Sequence, residues 1–207
     1  MSLDRPELAV RTGLGRAMED SWQSLGSPGT RWTGSERIRI VAEARAARLA
    51  TSPGQEDDVM ARAAWKVAAS PASIRRHWVD ALARDGLDPG RYVELVGIVS
   101  RAVAIDTVLE ALGLEIEPLP QPVAGDPSED VDQRAGKVKA WVPMVGGASI
   151  TQALSMVPAE NAKLEALHGA LYLSFEEMAD PKPGKELTRP QMELVAARTS
   201  AYNECFY

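Results

Sequence analysis

The stretch RYVELVGIVSRAVAIDTVLEALG, residues 91–113, constrains this chain most. Its apolar positions recur at helical spacing yet nearly encircle the helix, leaving little of it suited to water. Such a helix is central to a core, and the rest of the chain must surround it. The composition favours helices for that task, because Ala, Leu, Glu and Arg are plentiful while aromatics make up 5%. An all-α fold is expected. With 207 residues, 45% hydrophobic and 25% charged, the chain can bury a substantial core in one domain or in two small halves packed together.

Candidate helices precede it. Ser35 opens ERIRIVAEARAARLA, where Ile38, Val41, Ala42 and Leu49 form an apolar stripe, and Ser52–Gln55 ends it. EDDVMARAAWKVAAS carries acids near its positive end, and Ser70-Pro71 begins ASIRRHWVDALARDG, closed by Gly86. The first 34 residues hold no lasting period and read as an irregular arm, anchored by Trp22 or Trp32. Residues 115–147, rich in proline, glycine and charge, read as a crossing loop held down by Leu119, Trp141, Val142 and Met144. Helical texture returns in SITQALSMV, in one longer helix over AENAKLEALHGALYLSFEEMA, and after DPKPGKE in a helix from Arg189-Pro190 capped by Thr188. The chain thus divides into an arm (1–34), a first helical half (35–114), the loop (115–147) and a second half (148–207).

Several function classes lack their signatures. The net charge of −6 with dispersed basic residues argues against nucleic acid. No run approaches the ~18 apolar residues of a membrane span. The opening MSLDRPELAV is not a secretory signal, so a cytoplasmic setting is expected. GLGRAMED lacks the full dinucleotide-binding pattern, and His77 and His168 lack metal-ligand spacing, so no cofactor and no metal is expected. Both histidines read as packing or hydrogen-bonding residues.

The two halves share a pattern. RYVELVGIVSRAVAID can be laid on PQMELVAARTSAYNEC so that Glu94 matches Glu193, Leu95 and Val96 match Leu194 and Val195, and Asp106 falls opposite Cys205. A degenerate two-fold repeat follows. Glu193, between Met192 and Leu194, reads as a carboxylate on a buried face, where desolvation suits it to proton transfer. Cys205 lies twelve residues on, about 18 Å along a continuous helix. The two meet only if the chain turns after Ala201. Two readings stand on these residues: a salt-bridged Glu193 with Cys205 as a small buried hydrophobe, or a proton-transferring Glu193 near a thiolate at Cys205, stabilised in the first turn of a helix capped by Asn203.

ELTRPQMELVAARTSAYNECFY resembles the segment through the first redox cysteine of the AhpD-like alkylhydroperoxidase and carboxymuconolactone decarboxylase superfamily. The resemblance extends over roughly residues 35–207 and implies an AhpD-like tandem, pseudo-two-fold helical fold. It implies a peroxidase-related thiol oxidoreductase in which Glu193 relays protons and Cys205 resolves a sulfenic acid formed on a second cysteine. That cysteine would immediately follow Tyr207, with a histidine four positions beyond. The chain is therefore expected to be cut off inside the motif and inactive as it stands. A small peroxide substrate, a dithiol reductant protein and homo-oligomers are the implied partners. A decarboxylase-like lyase and a non-catalytic oligomerisation scaffold are the alternatives.

Overall fold

The computed structural model describes residues 11, 13–50, 57–137, 140–147, 149–180, 182 and 185–205. Ser52–Gln55, the first ten residues, Pro181, Pro183, Gly184 and Tyr207 lie outside them. The described residues form eight α-helices and no strand beyond an isolated antiparallel bridge between Gly136 and Met144. The fold is all-α.

The helix at its centre is α5, Pro89–Ala111, which buries residues on every side, among them Leu95, Ile98, Val99, Ala102 and Ile105. Asp88 starts it by accepting from the N–H groups of Gly90 (2.9 Å) and Arg91 (3.1 Å), with Pro89 in the first turn. Against it pack α2 (Gly34–Leu49) and α3 (Val59–Ala69). Their buried faces are rich in alanine (Ala44, Ala47, Ala63, Ala64), which lets the backbones approach closely. Thr33 starts α2 through a reciprocal capping box with Glu36, two residues earlier than Ser35. The short α4, Arg76–Arg84, adds Val79 and Leu82 to the core.

The arm is not irregular throughout. Leu14–Gln23 forms α1, with Met18 and Trp22 buried and Leu14 packed beside them. Leu14, Met18 and Trp22 recur every four residues, a period hidden by the surrounding glycines and polar residues. Trp22 donates its indole N–H to the Pro118 carbonyl (3.0 Å), and Trp32 donates to that of Arg91 (3.0 Å).

Residues 112–137, 140–147 and 149–157 run as a strap over the helices. Backbone N–H groups of Val123, Ser128 and Glu129 donate to the carbonyls of Gly26 (2.8 Å), Gly29 (3.0 Å) and Thr30 (2.9 Å). SITQALSMV forms a 3-10 turn at Ile150–Gln152 rather than an α-helix. There the Ser155 hydroxyl donates to the Gln152 carbonyl and accepts from Val145 N–H, competing with helical backbone bonds. The long helix expected over residues 159–179 is two helices, α6 (Pro158–Leu171) and α7 (Phe175–Ala179). Ser174 and Glu177 form a second capping box, which starts α7 and ends the continuity. α6 packs on α1 and α5 and sends Leu167 into the same core. The last helix, α8 (Arg189–Tyr202), buries only Met192.

Candidate functional site

Four charged side chains meet in the interior. Arg37 of α2, Glu94 and Arg101 of α5 and Glu160 of α6 are each at most 2% exposed. Arg37 donates through Nη1 to Glu94 Oε1 and through Nη2 to Glu160 Oε2 (3.2 Å). Arg101 donates through Nε to Glu160 Oε1 (2.8 Å) and through Nη1 to the Ser21 carbonyl (2.9 Å) and the Ser24 hydroxyl (2.9 Å). Its Nη2 lies 2.7 Å from Glu160 Oε1 but is not aligned to donate. The second oxygen of Glu94 accepts from the Arg31 backbone N–H (2.6 Å). The chain of contacts therefore ties α1, α2, α5 and α6 together.

The charges cancel within the quartet, but each environment differs. Burial raises the Glu94 carboxyl above its ordinary value, and Arg37 and the Arg31 N–H only partly offset this. Burial acts on Glu160 in the same sense, yet Arg101 and Arg37 together outweigh it and hold that carboxyl low. Half-buried Lys163 is lowered by burial and by the neighbouring Arg37. Two glycines make the room: a Cβ on Gly29 would overlap Glu94 Oε1, and one on Gly97 would overlap Glu160 Cγ.

A cleft of about 760 Å³ opens where the N-terminal half of α5 faces the strap. Tyr92, Val93 and Val96 supply the α5 wall, and Val142, Met144 and Leu154 the opposite one. Ile74 and Val79 close one end, while Trp141 (39% exposed) and Ile150 (59% exposed) stand at the mouth. Among the described residues no charged side chain lines it. Val93 and Glu94 are neighbours in sequence, and α5 turns one toward the cleft and the other into the quartet. The quartet is thus the frame from which the cleft wall is hung. Fully buried, it has no route to a substrate of its own.

The residues singled out in the sequence lie elsewhere. Glu193 is on the solvent side of α8, flanked by exposed Leu194 (63%) and Val195 (57%) rather than by a core. It accepts from Arg189 Nε (2.5 Å) and from the Tyr172 hydroxyl (3.0 Å). Burial, followed by the bond to Glu193, raises the Tyr172 hydroxyl above its ordinary value. Cys205 is exposed. Asn203 ends α8 instead of starting a helix, the chain turns at Glu204 (φ 55°), and Cys205 N–H donates back to the Ser200 carbonyl (2.9 Å). Asp106, laid opposite Cys205 by the repeat, is buried in a two-pronged bond with Arg45 (2.7 and 2.8 Å). His168 contacts the Leu173 carbonyl through Nδ1 (2.7 Å) and packs edge-on against Tyr172, whereas His77 is exposed. Among the described residues no group of His, Cys, Asp and Glu is placed to hold a metal ion. Nor, among them, is any helix long and apolar enough to cross a membrane.

Arg37, Arg101 and Glu160 escaped the sequence reading, and Glu94 entered it only as a repeat marker. The signal was present. Arg37 shares a helical face with Ile40, Val41 and Ala44, and Glu94 and Arg101 alternate with Ile98 and Ile105. Charges on a stripe destined for burial require one another.

No family model matches the chain, and neither a curated protein nor a solved structure does. The resemblance to the AhpD-like and carboxymuconolactone decarboxylase superfamily is therefore not upheld. The thiol peroxidase function falls as well, because its disulfide chemistry needs two cysteines and the sequence has one. The lyase alternative rested on the same resemblance and goes with it.

Proposed function

We propose that this protein binds a small apolar molecule in the cleft between α5 and the strap. The observation that carries this reading is the cleft itself: about 760 Å³, apolar on both walls and anchored through α5 to a buried ionic frame. Its size falls within the range of roughly 300–1,000 Å³ common to small-molecule sites. A preformed wall also spares the ligand the cost of ordering its own pocket. The test is titration with N-phenyl-1-naphthylamine, a neutral dye that brightens in apolar surroundings. The folded chain should bind it saturably, and Val96→Trp, which fills the cleft, should weaken binding about tenfold, or ~1.4 kcal/mol. Equal binding by the filled variant would place the dye elsewhere and refute the reading.

A second reading concerns α8. We infer that α5 and α8 stem from one repeated unit arranged about a pseudo-two-fold axis, and that a second copy of the chain covers α8. Leu95 on α5 is 0% exposed, while its counterpart Leu194 is 63% exposed with Val195 beside it. The homo-oligomer thus rests on α8 rather than on the resemblance, and α5 is already covered within its own chain. Light scattering at micromolar concentration should give more than a monomer mass, and Leu194→Glu should restore the monomer.

A further inference from the structure

Tyr92 is 6% exposed and lines the cleft, yet its hydroxyl has no hydrogen-bond partner among the described residues. Its ring is held edge-on against Trp78, with centroids 6.1 Å apart. A hydroxyl without a partner in the protein is free to donate, and one on a cleft wall can bond to whatever enters in place of water. The other polar groups of the lining are differently placed. Ser149 Oγ is engaged with Thr151 Oγ1 (2.9 Å), and Trp141 stands at the mouth, where water reaches it. From this geometry we propose that the cleft selects neutral molecules with an apolar body and one hydrogen-bond acceptor, such as a ketone or ether, received by the Tyr92 hydroxyl.

The inference deepens the binding reading above and rests on it. An anion is disfavoured because the described lining offers no cation to replace the water it would lose. A plain hydrocarbon fills the walls but leaves the hydroxyl unanswered. Burial also pushes Tyr92 up to about 12, so at neutral pH the hydroxyl keeps its proton and acts as a donor.

Acetophenone, ethylbenzene and benzoate provide a matched test, since they share a ring and differ in the acceptor. Ligand-observed NMR titration of the whole chain should rank acetophenone about fivefold tighter than ethylbenzene, with benzoate weakest, as one hydrogen bond permits. Tyr92→Phe, checked for folding by circular dichroism, should leave ethylbenzene unchanged and remove the advantage of acetophenone. The unaltered chain supplies an independent readout: in protein carrying ¹³C at tyrosine Cζ, acetophenone should shift the Tyr92 signal and ethylbenzene should not. Equal binding of acetophenone and ethylbenzene, with no tyrosine shift, would overturn the selection while leaving the cleft a binding site. Binding of neither would overturn both. Loss of acetophenone binding as protein concentration rises, in step with a dimer in sedimentation velocity, would show a second copy in the cleft and overturn the selection too.

Discussion

Glu160 holds the interior charges together, because both buried arginines bond to it. Deleting it leaves Arg101 without a counter-charge and Arg37 with Glu94 alone. Glu160→Ala should cost about 3–5 kcal/mol in urea denaturation, the usual penalty for breaking a buried ion pair by removing one partner. The pH dependence follows from the same geometry. The Glu160 carboxyl is lowered in the folded state, so its contribution is complete above the ordinary value near 4.5 and is lost as pH falls below it toward the folded value. Glu160→Gln should therefore flatten the acid limb of the stability profile. Glu94, raised by burial, acts with the opposite sign: its contribution is present below the ordinary value and lost as pH rises through the folded one. Tyr92 follows Glu94 at the alkaline end, where stability should fall between the ordinary 10.0 and about 12 in the native chain and fall less in Tyr92→Phe.

At the scale of elements, the helices show what was legible and what was not. The encircling apolar pattern of residues 91–113 identified the buried centre because no other arrangement hides so much of one helix. Thr188 and Pro190 likewise marked the start of α8. Boundaries failed where side chains bond to the backbone: Ser174 with Glu177 split one expected helix, and Ser155 unmade another. The site was harder to read, since its charged members come from three helices and its cleft from residues about fifty apart along the chain. Periodicity reports a face, not the partner that the face will meet. Gly97 shows how closely these elements fit. Gly97→Ala would favour the helix by propensity alone, yet its methyl would displace Glu160. A net loss of about 1–3 kcal/mol is expected, measured by thermal unfolding.

Across the whole molecule, the ionic frame and the exposed face of α8 divide the chain into a sealed centre and an open flank. Removing one charge of the frame should loosen α1, α2 and α6 together, whereas Leu194→Glu should change assembly without lowering the stability of a single chain. The strap has a consequence in time. Val123 bonds to Gly26, which lies far back along the chain before α2, and the strap also carries Met144 and Leu154 to the cleft. Closing so long a loop is entropically slow, whereas the neighbouring helices α2 and α3 collapse through nearby contacts. In stopped-flow refolding, helical ellipticity should thus recover before dye binding does, and the interval between them is the time the strap takes to dock.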